Sequence, residues 1–209
     1  MAILKNIIFD LGGVLLDIDY NKTKLAFEIL GFNRFDEMYT QYSADMLFSN
    51  LETGKISPDH FYDYLIKKAG GEVNAPEIEA AWNAMLLNFR LASVAMLDKL
   101  KKGHKLYLLS NTNAIHKLAF MHSFQQQTGK ALLDDCFTKA YYSHEIGLRK
   151  PNADIFEFVL KDTSIRAEET LFIDDSYNNI ETAQSLGFQT HLLLNGEKIE
   201  DLTVFKNVI

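Results

Sequence analysis

The sequence predicts an α/β chain: a doubly wound sheet of parallel strands that carries a small helical insertion. Two short apolar runs, Ile7-Ile8-Phe9 and Leu171-Phe172-Ile173, each end in aspartate, Asp10 in the first and Asp174-Asp175 in the second. Runs this short and this apolar read as strands buried on both faces, the pattern of a parallel sheet. From residue 91 onward helical and strand patterns alternate, as βα units require. Between Asp19 and Arg90 helical periodicity runs with almost no strand signal, which reads as an insertion after the first strand.

The first strand spans about residues 6–9. Within the insertion, Ser57 is an N-cap candidate and Pro58 takes the first position of a helix whose apolar Phe61, Leu65 and Ile66 follow one face until Gly70-Gly71 ends it. A helix from about Ala75 carries Ile78, Ala81, Trp82 and Met85 at spacings of three and four, one buried stripe, and Leu86 and Leu87 continue its apolar character. Trp82 is therefore expected in the core. These limits predict a core domain of residues 1–17 and 91–209 and a helical insertion of residues 18–90.

After the insertion the chain predicts a helix over 91–102 stopped by Gly103, then a strand over 105–109. Helix 114–126, strand 140–142, helix 153–160, strand 170–173, helix 179–186 and strand 189–194 complete the alternation. Phe120 and Phe124, four apart, are expected to pack as a core stripe. His116 and His122, six apart, do not share a face at metal-ligand spacing and are expected on the surface. The polar run Gln125-Gln126-Gln127 is expected to fray.

Bulk composition excludes several functions. With 47% hydrophobic and 23% charged residues the chain has an ordinary globular core rather than a disordered one. Its 21 basic and 28 acidic residues give a formal net charge of -7, which argues against a nucleic-acid partner. The apolar stretch near the start is broken by Asp10 and Asp17 and has no basic leader, so it predicts neither a signal peptide nor a membrane span, and hence a cytoplasmic protein with no membrane partner. Cys136, the single cysteine, excludes an internal disulfide and is expected to be a plain buried thiol. Nothing in the sequence demands a partner chain, and the oligomeric state is not readable from it.

Four segments carry chemistry. If both aspartate-tipped strands are parallel neighbours, Asp10, Asp174 and Asp175 meet at the carboxyl edge of the sheet, where open α/β folds place their sites. Adjacent carboxylates repel unless a cation or hydrogen-bond donors sit among them, and an all-oxygen set suits magnesium. Gly12-Gly13 lets the backbone turn close to a ligand after Asp10, although a strand-end aspartate also caps turns. Ser110-Asn111-Thr112 ends an apolar strand just before a helix, which reads either as an anion cradle or as an ordinary helix cap. Lys150, extended by Pro151 after it, either aims its ammonium at the sheet edge or belongs to a solvated basic pair with Arg149.

Taken in order, Asp10, Ser110, Lys150 and Asp174-Asp175 resemble the four motifs of the haloacid dehalogenase superfamily, and the resemblance covers the whole chain, the helical cap included. Within it, the segments around Asp10, Ser110 and Asp174 look most like small cytoplasmic sugar-phosphate phosphatases, including the alpha-glucose-1-phosphate phosphatase group. The resemblance implies that Asp10 is the nucleophile and a magnesium ligand, that Gly12 lends its backbone carbonyl to the metal, and that Asp175 is the principal acidic ligand with Asp174 beside it. It implies that Ser110 and Asn111 bind phosphoryl oxygens, that Lys150 steadies both Asp10 and the phosphate, and that Asn179 hydrogen-bonds around the site. The implied partner is a small phosphorylated metabolite, and the implied reaction a magnesium-dependent hydrolysis through an aspartyl-phosphate.

One departure matters. Most phosphatases of this superfamily carry a second aspartate two residues after the nucleophile, which protonates the leaving oxygen, and this chain has Gly12 there. Losing such help costs on the order of 10²- to 10⁴-fold in rate. Asp17 or Asp19, at the entry to the cap, is a candidate replacement. The departure keeps open a catalytically weak protein that binds a phosphorylated metabolite or a partner, while a metal-independent dehalogenase has little use for Asp174-Asp175. In the cap, Asp59, Tyr62 and Tyr64 are candidates for surface, core or pocket.

Overall fold

The structure of the chain, a computed structural model, describes residues 3–40 and 44–205. In chain order its elements are β1 (Asn6–Phe9), β2 (Leu16–Ile18), α1 (Tyr20–Ile29), α2 (Phe35–Met38), α3 (Met46–Glu52), α4 (Pro58–Lys68), α5 (Ala75–Asn83) and β3 (Leu86–Phe89). There follow α6 (Leu91–Leu100), β4 (Lys105–Ser110), α7 (Ala114–Thr128), β5 (Lys139–Tyr142), α8 (Ser143–Ile146), α9 (Ala153–Thr163), β6 (Thr170–Asp174), α10 (Tyr177–Ser185) and β7 (Gln189–Leu192).

Five strands form one parallel sheet in the order β5-β4-β1-β6-β7. The chain leaves β1 for β4 on one side and later reaches β6 on the other, so β1 is the switch point of the sheet and its carboxyl end opens a crevice. Side chains alternate faces along each strand. Ile7 and Phe9 of β1 join Val94 and Leu97 of α6 and Phe120 and Phe124 of α7 on one face, while Ile8 joins Phe156 of α9 and Ile180 of α10 on the other. Both faces being covered explains why the central strands β1, β4 and β6 are largely apolar, whereas the edge strand β7, Gln189–Leu192, is half-buried and polar.

Helices α1 to α5 enclose a separate aromatic cluster. Phe27 and Phe35 stack with centroids 4.3 Å apart, and fully buried Trp82 meets Phe27, Phe48 and Phe61 in the middle. Local sequence sets these helices as predicted. The Ser57 hydroxyl accepts from the His60 N–H at 3.2 Å with Pro58 in the first turn, and Gly70 and Gly71 take positive φ after the last. Asn74 and Glu77 close a capping box at the start of α5.

Three expectations are overturned. Leu86 and Leu87 do not prolong a helical stripe: α5 stops at Asn83, and β3 pairs antiparallel with β2, Leu16 opposite Phe89 and Ile18 opposite Leu86. Each strand is too short to show a period, and its stability comes from backbone pairing with a segment about seventy residues away. Nor is His116 on the surface. It is 5% exposed and its ring stacks on Trp82 at 4.5 Å. Asn113 Nδ2 donates to its Nδ1, so the other ring N–H donates to the Trp82 carbonyl at 3.0 Å, and burial pushes its pKa down to about 4. Finally, the glutamine run does not fray: α7 continues to Thr128, Gln127 Oε1 accepts from the Phe89 N–H at 2.8 Å, and Gly129 ends the helix in a left-handed conformation. His122 is exposed, and Cys136, Phe120 and Phe124 are buried, as expected.

Candidate active site

The register of the sheet fixes the site. Phe9 pairs with Ile173 of β6 and Leu108 of β4, and the Asp10 N–H then donates to the Ile173 carbonyl at 2.9 Å. Asp10 thereby emerges beside Asp174 and Asp175. One carboxylate oxygen from each of the three lies within 4.8 Å of the others. This is the juxtaposition that the two aspartate-tipped strands predicted.

Lys150 arrives from the loop before α9 and is the countercharge. Its side chain is 1% exposed, with the ammonium 2.9 Å from Asp10 and 2.6 Å from Asp174. It is held there by its own backbone: the Asn111 side chain accepts from the Lys150 N–H at 2.9 Å and donates to the Lys150 carbonyl at 2.8 Å. The solvated-pair reading of Lys150 is thus excluded, and the Asn111 carboxamide braces the loop, leaving the end of β4 to face the cleft with Ser110 and Thr112.

The two acids of the β6 tip differ. Asp174 is completely buried and saturated: Asn179 Nδ2 donates to both its oxygens at 2.9 and 3.0 Å, the Ser176 N–H donates at 2.8 Å, and Lys150 takes one oxygen. Asp175 instead lines the cleft, pressed against Gly13. Gly13 has φ +69°, and a Cβ there would fall 2.2 Å from an Asp175 oxygen, so only glycine lets the acid sit this close to the turn after Asp10.

Burial and crowding set the protonation chemistry. Burial, with Asp174 and Asp175 adding to it against the pull of Lys150, pushes Asp10 up to about 8. Burial and Asp174 push Asp175 up to about 6. Burial opposes the charge on Lys150, but Asp10 and Asp174 outweigh it and hold its pKa above the ordinary value. A site whose acids resist ionising until something positive arrives is suited to a hard divalent cation, and its donors are all oxygen.

Tyr20, Tyr39 and Glu52, from the α1–α3 segment, line the other side of a cleft of about 140 Å³. Glu52, 3% exposed, accepts from the Tyr39 hydroxyl at 2.9 Å and lies 3.0 Å from the Arg149 guanidinium of the core. Burial raises its pKa against the opposing pull of Arg149 and Tyr39. The sequence reading missed this pair, because a lone glutamate at a helix end carries no signal of burial. Asp17 and Asp19 are absent from this cleft: Asp17 pairs with Arg90 at 2.7 Å, and Asp19 caps α1 by accepting from the Asn21 N–H. Asp59 and Tyr64 are exposed, and Tyr62 donates to Glu79 away from the cleft.

Residues 4–187 match the family model of haloacid dehalogenase-like hydrolases. The chain belongs to that family. Within it the chain is a phosphatase: the D-ribitol-5-phosphate phosphatase of Bacteroides thetaiotaomicron is 38% identical over 98% of this chain and 99% of its own length. The sesquiterpene phosphatase of Aspergillus oryzae is 31% identical over 88% of this chain and 86% of its own. Among solved structures, a HAD family enzyme of Bacteroides thetaiotaomicron in complex with magnesium and inorganic phosphate superposes with a TM-score of 0.86 at 35% identity, covering 96% of this chain and 99% of that one.

Proposed function

We propose that this phosphatase hydrolyses a small sugar or polyol phosphate, with magnesium, through an aspartyl-phosphate on Asp10. The observation that carries the reading is the buried ammonium of Lys150 between Asp10 and Asp174, at the edge of a cleft that Asp175 also lines. Asp10, Asp175 and the Gly12 carbonyl would hold the metal, with Asp174 beside them as the acid that fixes Lys150. Magnesium, when bound, supplies positive charge at the phosphoryl oxygens and keeps Asp10 and Asp175 ionised. That the related enzyme was solved with magnesium and inorganic phosphate supports both choices.

The chain's own residues do the rest. An Asp10 oxygen attacks phosphorus in line with the ester bond, and water then releases phosphate from the acyl-phosphate. Lys150, Ser110 and the backbone N–H of Asn111 neutralise the equatorial oxygens, the main task in phosphoryl transfer, while the Thr112 N–H is spent on the Ser143 hydroxyl at 2.9 Å. The segment 18–90 acts as the cap that excludes bulk water, over a core of residues 1–17 and 91–209. The net charge of -7 fits no nucleic acid, and no helix of the described residues is long and apolar enough to cross a membrane. We place the activity in the cytoplasm.

A second reading, a metabolite-binding protein of little turnover, is favoured by one observation, the glycine at position 12. Phosphate release from a panel of sugar, polyol, nucleotide and amino-acid phosphates, with and without magnesium, separates the two. Magnesium-dependent release that Asp10→Asn abolishes supports the phosphatase with this nucleophile, whereas metal-dependent binding with no release supports the binder.

A further inference from the structure

We propose that Tyr20 is a catalytic residue: its phenolic hydroxyl gives a hydrogen bond, and then its proton, to the ester oxygen as that oxygen leaves phosphorus. The inference rests on the phosphatase reading above and concerns the service that Gly12 cannot give. Position 12 has no side chain, and a Cβ there would come 3.2 Å from Ile18, so the glycine is packed against the ribbon rather than sitting in open space. The acids nearest in sequence are committed elsewhere, Asp17 to Arg90 and Asp19 to the start of α1. Glu52 faces the cleft but is held by Tyr39 and Arg149.

Tyr20 is differently placed. It is the first residue of α1, two residues beyond Ile18 of β2, so the ribbon that rises directly from the Asp10 turn delivers it to the cleft. Its ring lies beside Tyr39 with centroids 6.1 Å apart. Its hydroxyl makes no hydrogen bond to another described residue, although the ring is half-buried. Tyr20 lines the cleft and its hydroxyl is not sealed off in the core, so it is free to donate to a group bound there. Burial above all, and then the charges of Asp175, Glu52, Asp10 and Asp174, raises its pKa above the ordinary phenol value. A phenol carries its proton at neutral pH and so can act as a donor.

The chemistry balances. As an Asp10 oxygen bonds to phosphorus, the ester P–O bond breaks, its electron pair goes to the leaving oxygen, and that oxygen takes the Tyr20 proton. The attacking water then bonds to phosphorus, the acyl-oxygen–phosphorus bond breaks to restore the Asp10 carboxylate, and a water proton returns to the Tyr20 phenolate. Substrate and water become alcohol and hydrogen phosphate, with both side chains regenerated.

The test compares the parent with Tyr20→Phe, magnesium-loaded, on p-nitrophenyl, phenyl and alkyl phosphates and a polyol phosphate. A proton donor matters more as the leaving alcohol becomes less acidic. The expected loss in kcat/KM is on the order of 10- to 100-fold for the alkyl and polyol esters, at least tenfold greater than the loss for p-nitrophenyl phosphate. An equal loss on all esters would mean that Tyr20 only packs, and overturns the proposal. The parent alone gives a second readout that needs no variant: its kcat/KM should depend weakly on leaving-group acidity, and a steep dependence overturns the proposal as well. No phosphate release from any ester would instead sink the phosphatase reading on which it stands.

Discussion

Lys150→Met removes the charge but keeps the length of the buried stem, and its cost can be worked from the structure. The ammonium is 1% exposed and lies 2.9 Å from Asp10 and 2.6 Å from Asp174. At an effective dielectric near 20 each contact represents roughly 6 kcal/mol of attraction, most of which offsets the desolvation of three charges. Removing the cation leaves that desolvation uncompensated, and breaking a buried pair in this way costs about 3–5 kcal/mol. For a chain of this length that is a fall in Tm of roughly 6–20 °C. The assay is thermal unfolding by circular dichroism, metal-free, at pH 8 and at pH 5. The deficit should be largest at pH 8 and shrink at pH 5, where Asp10 and Asp175, raised to about 8 and about 6, hold their protons with or without the lysine and less charge is orphaned. A variant that melts within about 2 °C of the parent at pH 8 would refute the idea that Lys150 is the keystone of the acid cluster.

Other consequences are equally measurable. Gly13→Ala puts a Cβ 2.2 Å from Asp175 at a φ of +69°; it should weaken magnesium binding by about 10- to 100-fold, read by calorimetric titration, and unchanged affinity would count against Asp175 as a ligand. Asp10 and Asp175 are raised from 3.8 to about 8 and about 6. The metal-free fold thus holds protons that the unfolded chain has released, and the stability they bring is full below about pH 4 and lost as pH rises through 6 and 8. Because a cation binds the deprotonated acids, the rise in Tm on adding magnesium should be larger at pH 8 than at pH 6, and a rise independent of pH would contradict these protonation states. Trp82→Ala empties the centre of the aromatic cluster of α1 to α5 and should cost about 3–5 kcal/mol in urea unfolding, a loss under about 1 kcal/mol being inconsistent with its packing.

What the sequence made legible follows from where each residue's environment is decided. Asp10, Asp174 and Asp175 could be read because their strands are short apolar runs and parallel sheets bring strand ends together, a rule that needs no side-chain detail. The helix starting at Pro58 announces itself through Ser57 and its proline, and the one starting at Ala75 through the stripe of Ile78, Ala81 and Trp82, all local signals. The β2–β3 ribbon could not be read, since Leu16 and Phe89 are strand residues only in each other's presence. His116 was misread for a similar reason: its burial is decided by Trp82, a residue of another helix that supplies both a stacking face and a carbonyl. Asn111 was assigned by resemblance to phosphoryl binding, and only the folded chain reveals that its carboxamide is spent on the backbone of Lys150. Glu52 and Arg149 meet across the cleft from residues nearly a hundred positions apart, with nothing local to mark them.

The central claim is that Asp10 carries the phosphoryl group. Acid quenching of the magnesium-loaded enzyme during turnover of a phosphate ester, followed by peptide mass spectrometry, tests it most directly, because an acyl-phosphate survives acid and is cleaved by hydroxylamine. The account predicts one phosphoryl group on the peptide that contains Asp10, absent from Asp10→Asn and released by hydroxylamine. Turnover with no such adduct in the parent, or continued phosphate release by Asp10→Asn, would contradict it.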